Sequence, residues 1–134
     1  MIGVDTNVLL RWVANDVVGA DDARNQSILV EEMIAANVEP IFLNKVVLVE
    51  AIWVLKRRAP KQALIDVMTG LLNAINVIIE DREAVLSALD AYIRYPGDFA
   101  DHLIGQGNQF SGCRTTFTFD KAAARSPNFS ELQR

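Results

Sequence analysis

The chain has a single cysteine, Cys113, and a single histidine, His102. One thiol excludes an internal disulfide, and the two residues together exclude a zinc site built from several thiolates or imidazoles. A secreted, disulfide-held scaffold is therefore ruled out, and a reducing cytoplasm is the expected compartment. Long apolar runs are missing as well. The longest, Val46 to Leu55, is interrupted by Glu50 and falls far short of the ~20 residues a membrane helix needs. Asp5 and Arg11 break the first apolar stretch, so no signal peptide is expected. Excess positive charge is absent too: 17 acidic residues against 13 lysines and arginines leave a net charge of −4. That balance argues against a domain that grips nucleic acid by bulk positive charge. It leaves room for an acidic site that recruits cations, because a bound metal reverses the local field.

What is present suits one folded domain spanning residues 1–134. The chain has 134 residues, 51% of them hydrophobic. A chain of about this size buries roughly two-thirds of its unfolded surface, so a core forms without disulfides or a structural metal. No repeat, linker or low-complexity segment interrupts it. Met1 to Val4 is a short apolar run ending at Asp5, as in a buried parallel strand. Thr6 to Ala14 then has helical spacing at Leu9, Leu10 and Val13. A turn over Gly19 to Asp22 precedes a helix from about Ala23 to Ala36, whose faces are set by Ile28, Leu29, Glu32 and Met33.

Pro40 breaks that helix before a second strand, Ile41 to Leu43. Asn44 is a natural N-cap for a helix from Val46 to Arg57, and Pro60 suits the first turn of another that runs to Leu71 or Leu72. Val77 to Ile79 is a third strand. Asp81 is placed to cap a helix from Arg82 to Ile93, which Pro96-Gly97 stops. Asp98 to Phe110 is helical in spite of Gly105 and Gly107, and Gly112 ends it. Arg114 to Phe119 alternates like a strand and delivers Asp120; Phe129 to Leu132 suits a short edge strand. Strands alternating with helices predict an α/β layered fold with a mostly parallel sheet.

Two apolar strands end in the same residue: Met1-Ile2-Gly3-Val4 delivers Asp5, and Thr116-Phe117-Thr118-Phe119 delivers Asp120. In open parallel sheets, ligands bind in the crevice beyond the carboxyl ends of the strands. If these two strands are neighbours, both carboxylates project into one crevice. Asp is equally at home capping the helix that follows, and both roles stand at this point. Glu50 sits within Val-Val-Leu-Val-Glu-Ala-Ile-Trp-Val-Leu. A carboxylate buried there needs a partner, a metal or a proton; the alternative is a solvent-facing edge shared with Asn44 and Arg57. Asp98 and Asp101 lie three apart on one face of a helix start, where Asp98 suits the N-cap and Asp101 is the better ligand candidate. Converging carboxylates without His or Cys select a hard dication, Mg2+ or Mn2+, over zinc. Such ions activate water and stabilise in-line displacement at a phosphodiester, with Asn7 and Thr118 as supporting hydrogen-bond partners.

These four segments resemble, in order and spread, the acidic motifs of the PIN-domain nucleases, and within them the VapC-type toxins. Met-Ile-Gly-Val-Asp-Thr-Asn is similar to the first motif, the lone Glu50 in its apolar helix to the second, Gly-Asp-Phe-Ala-Asp-His-Leu-Ile to the third and Thr-Phe-Thr-Phe-Asp-Lys to the fourth. The likeness covers nearly the whole chain. It implies a PIN-like three-layer α/β/α sandwich with four to five mostly parallel strands. It also implies metal ligation and catalysis by Asp5, Glu50, Asp101 and Asp120, with Thr6, Asn7, Thr118 and Asp98 in support. The implied activity is Mg2+-dependent endonucleolytic cleavage of RNA by a homodimer, held in check by a cognate antitoxin. Gly105 stands where the family usually has Ala, which marks that helix as a candidate for mobility.

Arg11 and Lys121, just beyond acidic motifs, are candidates for holding substrate or an acidic antitoxin group. Lys56, Arg57, Arg58 and Lys61 could touch RNA phosphates, but basic residues closing a helix more often complement its dipole. His102 suits a helix surface facing away from the site, Trp12 and Trp53 suit core or dimer contacts rather than base stacking, and Cys113 suits a buried small hydrophobe opening a strand. Two other functions compete. A receiver-type phosphoacceptor domain would use Asp5, Asp81 and Lys121 but leave Glu50 and Asp101 idle. A non-catalytic binding module of the same fold would keep repelling carboxylates for no purpose.

Overall fold

Short apolar segments pair as parallel strands wherever the sequence places them. In the computed structural model, which describes residues 1–18 and 24–134, the chain forms two compact units, Met1–Glu80 and Asp81–Arg134. The turn expected at Gly19 to Asp22 lies outside the described residues.

In the first unit, β1 (Ile2–Gly3), β2 (Ile41–Leu43) and β3 (Val77–Ile79) form a parallel sheet in the order β1-β2-β3. Ile2 pairs with Ile41, and Ile41 with Val77. On one face of the central strand Ile41 and Leu43 are fully buried, and on the other Phe42 is half-buried. After β1 come α1 (Thr6–Val13), a short α2 (Asn15–Val18) that the sequence pattern did not announce, and α3 (Arg24–Ala36).

The face that α3 buries differs from the expected one. Ile28 and Leu29 are exposed, while Ser27 and Val30 are buried. Burying a serine is tolerable here because its hydroxyl donates to Asn15 Oδ1 at 2.6 Å.

α4 (Lys45–Leu55) and α5 (Lys61–Asn73) connect β2 to β3. Asn44 caps α4 as expected, accepting from the Val47 amide at 2.9 Å. Val47, Leu48, Ala51, Ile52 and Leu55 form the buried stripe of α4, and Leu64, Met68, Leu71 and Leu72 that of α5. Pro60 is the N-cap residue of α5, one position ahead of the first turn.

The second unit is built on α6 (Arg82–Arg94) and α7 (Phe99–Phe110), with β4 (Thr116–Thr118) and β5 (Phe129–Glu131) paired in parallel. The Tyr92 ring meets Phe99 edge-on, with centroids 6.0 Å apart. Gly97, at φ 108°, makes the turn between the two helices in a backbone region that L side chains rarely adopt.

Asp81 sits at the N-cap position of α6 but makes no side-chain cap bond. Its backbone is left-handed (φ 53°, ψ 51°), not the extended conformation from which a cap reaches the next amides. The strand expected from Arg114 starts only at Thr116. Cys113 therefore falls in the turn closing α7, where its amide donates to Asn108 O at 3.0 Å, and its side chain is exposed rather than buried.

Gly105 is buried under the Phe129 ring: a Cβ there would stand 2.6 Å from Phe129 Cε2. That close approach accounts for glycine at this position.

Among the described residues every strand pairing is parallel, with three strands in the first unit and two in the second, in keeping with the expected α/β fold. Among the described residues, no helix is long and apolar enough to cross a membrane.

Candidate active site

Asp5 follows β1 directly and is the N-cap of α1. Its backbone is extended (φ −87°, ψ 178°), and Oδ1 accepts from the Val8 amide at 3.0 Å. The capping role is therefore real, but it occupies one oxygen only. The next residue reaches across to the second acid: Thr6 Oγ1 donates to Glu50 Oε1 at 3.1 Å. Glu50 is exposed, so of the two readings of this residue the solvent-facing edge is the correct one. Its charge needs no buried counter-ion. The α4 stripe that packs inward leaves Glu50 on the opposite side, where Thr6 orients it. Asn7 Nδ2 donates to Gln26 Oε1 at 3.1 Å, and Asp5, Asn7, Arg11 and Gln26 line a cavity of about 230 Å³.

In the second unit, Asp98 and Asp101 form a capping box at the start of α7. The Asp98 amide donates to Asp101 Oδ2 at 3.2 Å. The expected cap at Asp98 is thus present, and Asp101 answers it. Asp120 Oδ1 accepts from the amides of Ala122 at 2.8 Å and Ala123 at 3.0 Å, opening the 3-10 turn Ala123–Arg125. The Asp120 amide itself donates to Thr118 Oγ1 at 3.0 Å, so Thr118 fixes the turn that presents the acid. Lys121 is exposed beside it.

Each of the four acids is therefore held in the same way. One carboxylate oxygen takes a hydrogen bond, and the other carries none among the described residues. Among those residues no three acidic, histidine or cysteine side chains converge as a ligand group. The donor chemistry still fits a hard dication: all four are carboxylates, each oriented and each with an oxygen to spare. A zinc preference has no basis here, since neither Cys113 nor His102 accompanies an acid in such an arrangement.

His102 is buried at 1% exposure rather than on a helix surface. Its Nε2 lies 3.0 Å from Pro96 O, and its ring packs edge-on against Tyr92, so it ties α7 to the turn before it. Burial, and then the Asp98 carboxylate, push the Tyr92 phenol above its ordinary value of 10.0. The folded pKa exceeds the unfolded one, so this contribution to stability is intact below about pH 10 and lost as the pH rises through the folded value. Wild type should lose melting temperature faster than Tyr92→Phe across that alkaline range; parallel curves would show that the phenol is not strained by ionisation.

Of the two placements expected for Trp53, the core is excluded: it is 48% exposed, with Lys56 Nζ 4.5 Å and the Arg57 guanidinium 5.4 Å from its ring centroid. These cations sit beyond the end of α4 at Leu55 and lie beside the indole, which stays half exposed. No signal in the sequence announces this arrangement, because an apolar helix hides which of its large residues faces out.

Among solved structures, the crystal structure of Mycobacterium tuberculosis VapC20, described as a sarcin-ricin loop cleaving toxin, is similar at 18% identity. The match covers 93% of this chain and 94% of that one, with a TM-score of 0.45. No curated protein is similar enough in sequence to count as a relative. The family model described as PIN domain matches residues 2–127, from the first strand past Asp120, and the chain accordingly belongs to the PIN domain family.

Proposed function

We propose that this protein is a metal-dependent endoribonuclease acting as the toxin of a toxin–antitoxin pair, with Asp5, Glu50, Asp101 and Asp120 as the ligand set for Mg2+ or Mn2+. The observation that carries the reading is the shared state of the four acids, each pinned through one oxygen with the other left over. Membership of the PIN family supports it. Bound Mg2+ would supply Lewis acidity and charge neutralisation at a scissile phosphodiester.

The chain's own residues hold that chemistry in place. The Val8 amide fixes Asp5, the Thr6 hydroxyl fixes Glu50, the Asp98 amide fixes Asp101, and the Ala122 and Ala123 amides fix Asp120. Oriented acids lose little freedom when they take up a cation. Arg11, which lines the cavity beside Asp5, and Lys121, next to Asp120, would meet phosphate oxygens of the substrate. The protein acts in the cytoplasm as a homodimer, and a cognate antitoxin restrains it by covering the acids.

Purified protein incubated with total RNA should cleave it in Mg2+ and not in EDTA. Its melting temperature should rise with millimolar Mg2+ or Mn2+, since a ligand bound only by the folded state stabilises that state. Neither cleavage nor a metal-dependent rise would return the chain to the non-catalytic reading.

A further inference from the structure

The outward face of α4 carries more than Glu50. Val46, Glu50 and Trp53 follow one another at spacings of four and three, which stacks them on a single face of the helix. All three are exposed, opposite the buried stripe of Val47, Leu48, Ala51, Ile52 and Leu55. Trp53 therefore lies one turn beyond the acid, its ring flanked by Lys56 and Arg57. Arg58 extends the run, and Lys61 opens α5 after a turn of only a few residues. Arg57 and Arg58 enter no ion pair among the described residues. Such a cluster is unusual in a chain whose net charge is −4.

We infer that this face is a docking platform for single-stranded RNA, on which Trp53 stacks an unpaired base while Arg57, Arg58 and Lys56 meet the flanking phosphates. The inference rests on the ribonuclease reading and deepens it, because it states how the strand is held next to Glu50. Charge complementarity selects the occupant. A polyanion with exposed π-faces satisfies both the cations and the indole, whereas the carboxylates of a second copy of this acidic chain would answer the cations but give the indole no flat partner to stack on. Stacking on an exposed aromatic is tolerant of base identity, and the guanidinium groups contribute through phosphate contacts and their own stacking. Trp53 is a positioning residue: it holds the strand and touches no reacting atom.

The test is a binding titration that does not depend on cleavage. A fluorescently labelled oligoadenylate is titrated into full-length protein carrying Asp5→Asn, and anisotropy is read in Mg2+. Trp53→Ala should weaken binding about tenfold or more, the loss expected for one stacked base. Trp53→Phe should retain most of the affinity. Arg57→Ala with Arg58→Ala should flatten the dependence of affinity on salt by roughly one to two phosphate contacts. In the cleaving wild-type background, Trp53→Ala should raise KM far more than it lowers kcat.

Unchanged affinity in Trp53→Ala, or no binding of oligoadenylate by its parent, overturns the platform. So does a Trp53→Ala protein that changes from dimer to monomer by light scattering, which would assign the face to a second copy of the chain. Melting temperature reports any failure to fold. Metal-dependent cleavage of total RNA by wild type is scored separately, so the platform can fail while the nuclease reading stands, and the reverse.

Discussion

Asp5→Asn should abolish RNA cleavage while leaving the fold almost untouched. Asp5 has a demonstrable structural job, the cap on the Val8 amide, so loss of activity in an alanine variant would be ambiguous. Asparagine removes the ambiguity. It caps helices about as well as aspartate, and its amide oxygen can keep the Val8 bond, but it has no charge with which to hold a dication. Cleavage should fall by about a hundredfold or more, since even partners that only orient a metal's ligands cost about 10–100-fold when removed. The melting temperature without metal should stay near wild type, and its rise with Mg2+ should disappear. Asp5→Ala adds the loss of the cap, about 1 kcal/mol.

The same logic extends to Asp120→Asn, whose Oδ1 can still accept from Ala122 and Ala123, and to Glu50→Gln, which can still accept from Thr6. Full activity in Asp5→Asn would reduce Asp5 to a cap and remove the first ligand of the proposed set. The experiment therefore separates two roles that coexist on one side chain.

How far the sequence foretold this arrangement depends on the kind of interaction. Strands such as Ile41 to Leu43 and Val77 to Ile79 were legible because a continuous apolar run flanked by turn residues has few other ways to bury itself. The Asn44 cap and the Asp98–Asp101 pair were legible because capping is local, set within three or four residues. The exposure of Glu50 was not. An α4 apolar on nearly every side gives a weak preference for one face, and only the packing of Val47, Leu48 and Ala51 decides which side turns outward. Glu50 is accordingly tied to Thr6, 44 residues away in the chain.

His102 and Cys113 were misplaced for related reasons. An imidazole can be buried once a carbonyl such as Pro96 O is within reach, and that carbonyl is supplied by the turn, not by the helix pattern. Cys113 belongs to a turn that runs two residues further than the alternation of Arg114 to Phe119 suggests, which leaves its thiol in solvent. Ser27 and Trp53 are a matched pair of exceptions, a polar residue inside and an apolar one outside. Ser27 is held by the side chain of Asn15, twelve residues away, and Trp53 lies beside Lys56 and Arg57 at the end of its own helix.

Gly105→Ala should destabilise the protein, although alanine is the better helix former. In the middle of α7 the substitution ought to gain about 1 kcal/mol from backbone entropy. Against this, the new methyl group would stand 2.6 Å from Phe129 Cε2 and 2.8 Å from Cζ, well inside contact distance. Relief would require the ring to turn about its own torsions and give up its packing over α7, because its backbone is held. Phe129 lies in β5, its amide donates to Ser126 O at 3.1 Å, and its strand is paired with β4 through Thr116. Overpacking of this kind costs about 1–3 kcal/mol, so the net loss should reach up to about 2 kcal/mol, or several degrees of melting temperature.

A double-mutant cycle with Phe129→Leu isolates the contact. With the smaller, more flexible side chain at 129, Gly105→Ala should become neutral or stabilising as the helix preference re-emerges. If Gly105→Ala raises the melting temperature in both backgrounds, the ring does not constrain α7 and the glycine has no packing reason to be there. If the cycle shows the coupling, the helix that begins with Asp98 and Asp101 is clamped from β5, one turn beyond the acid that it presents.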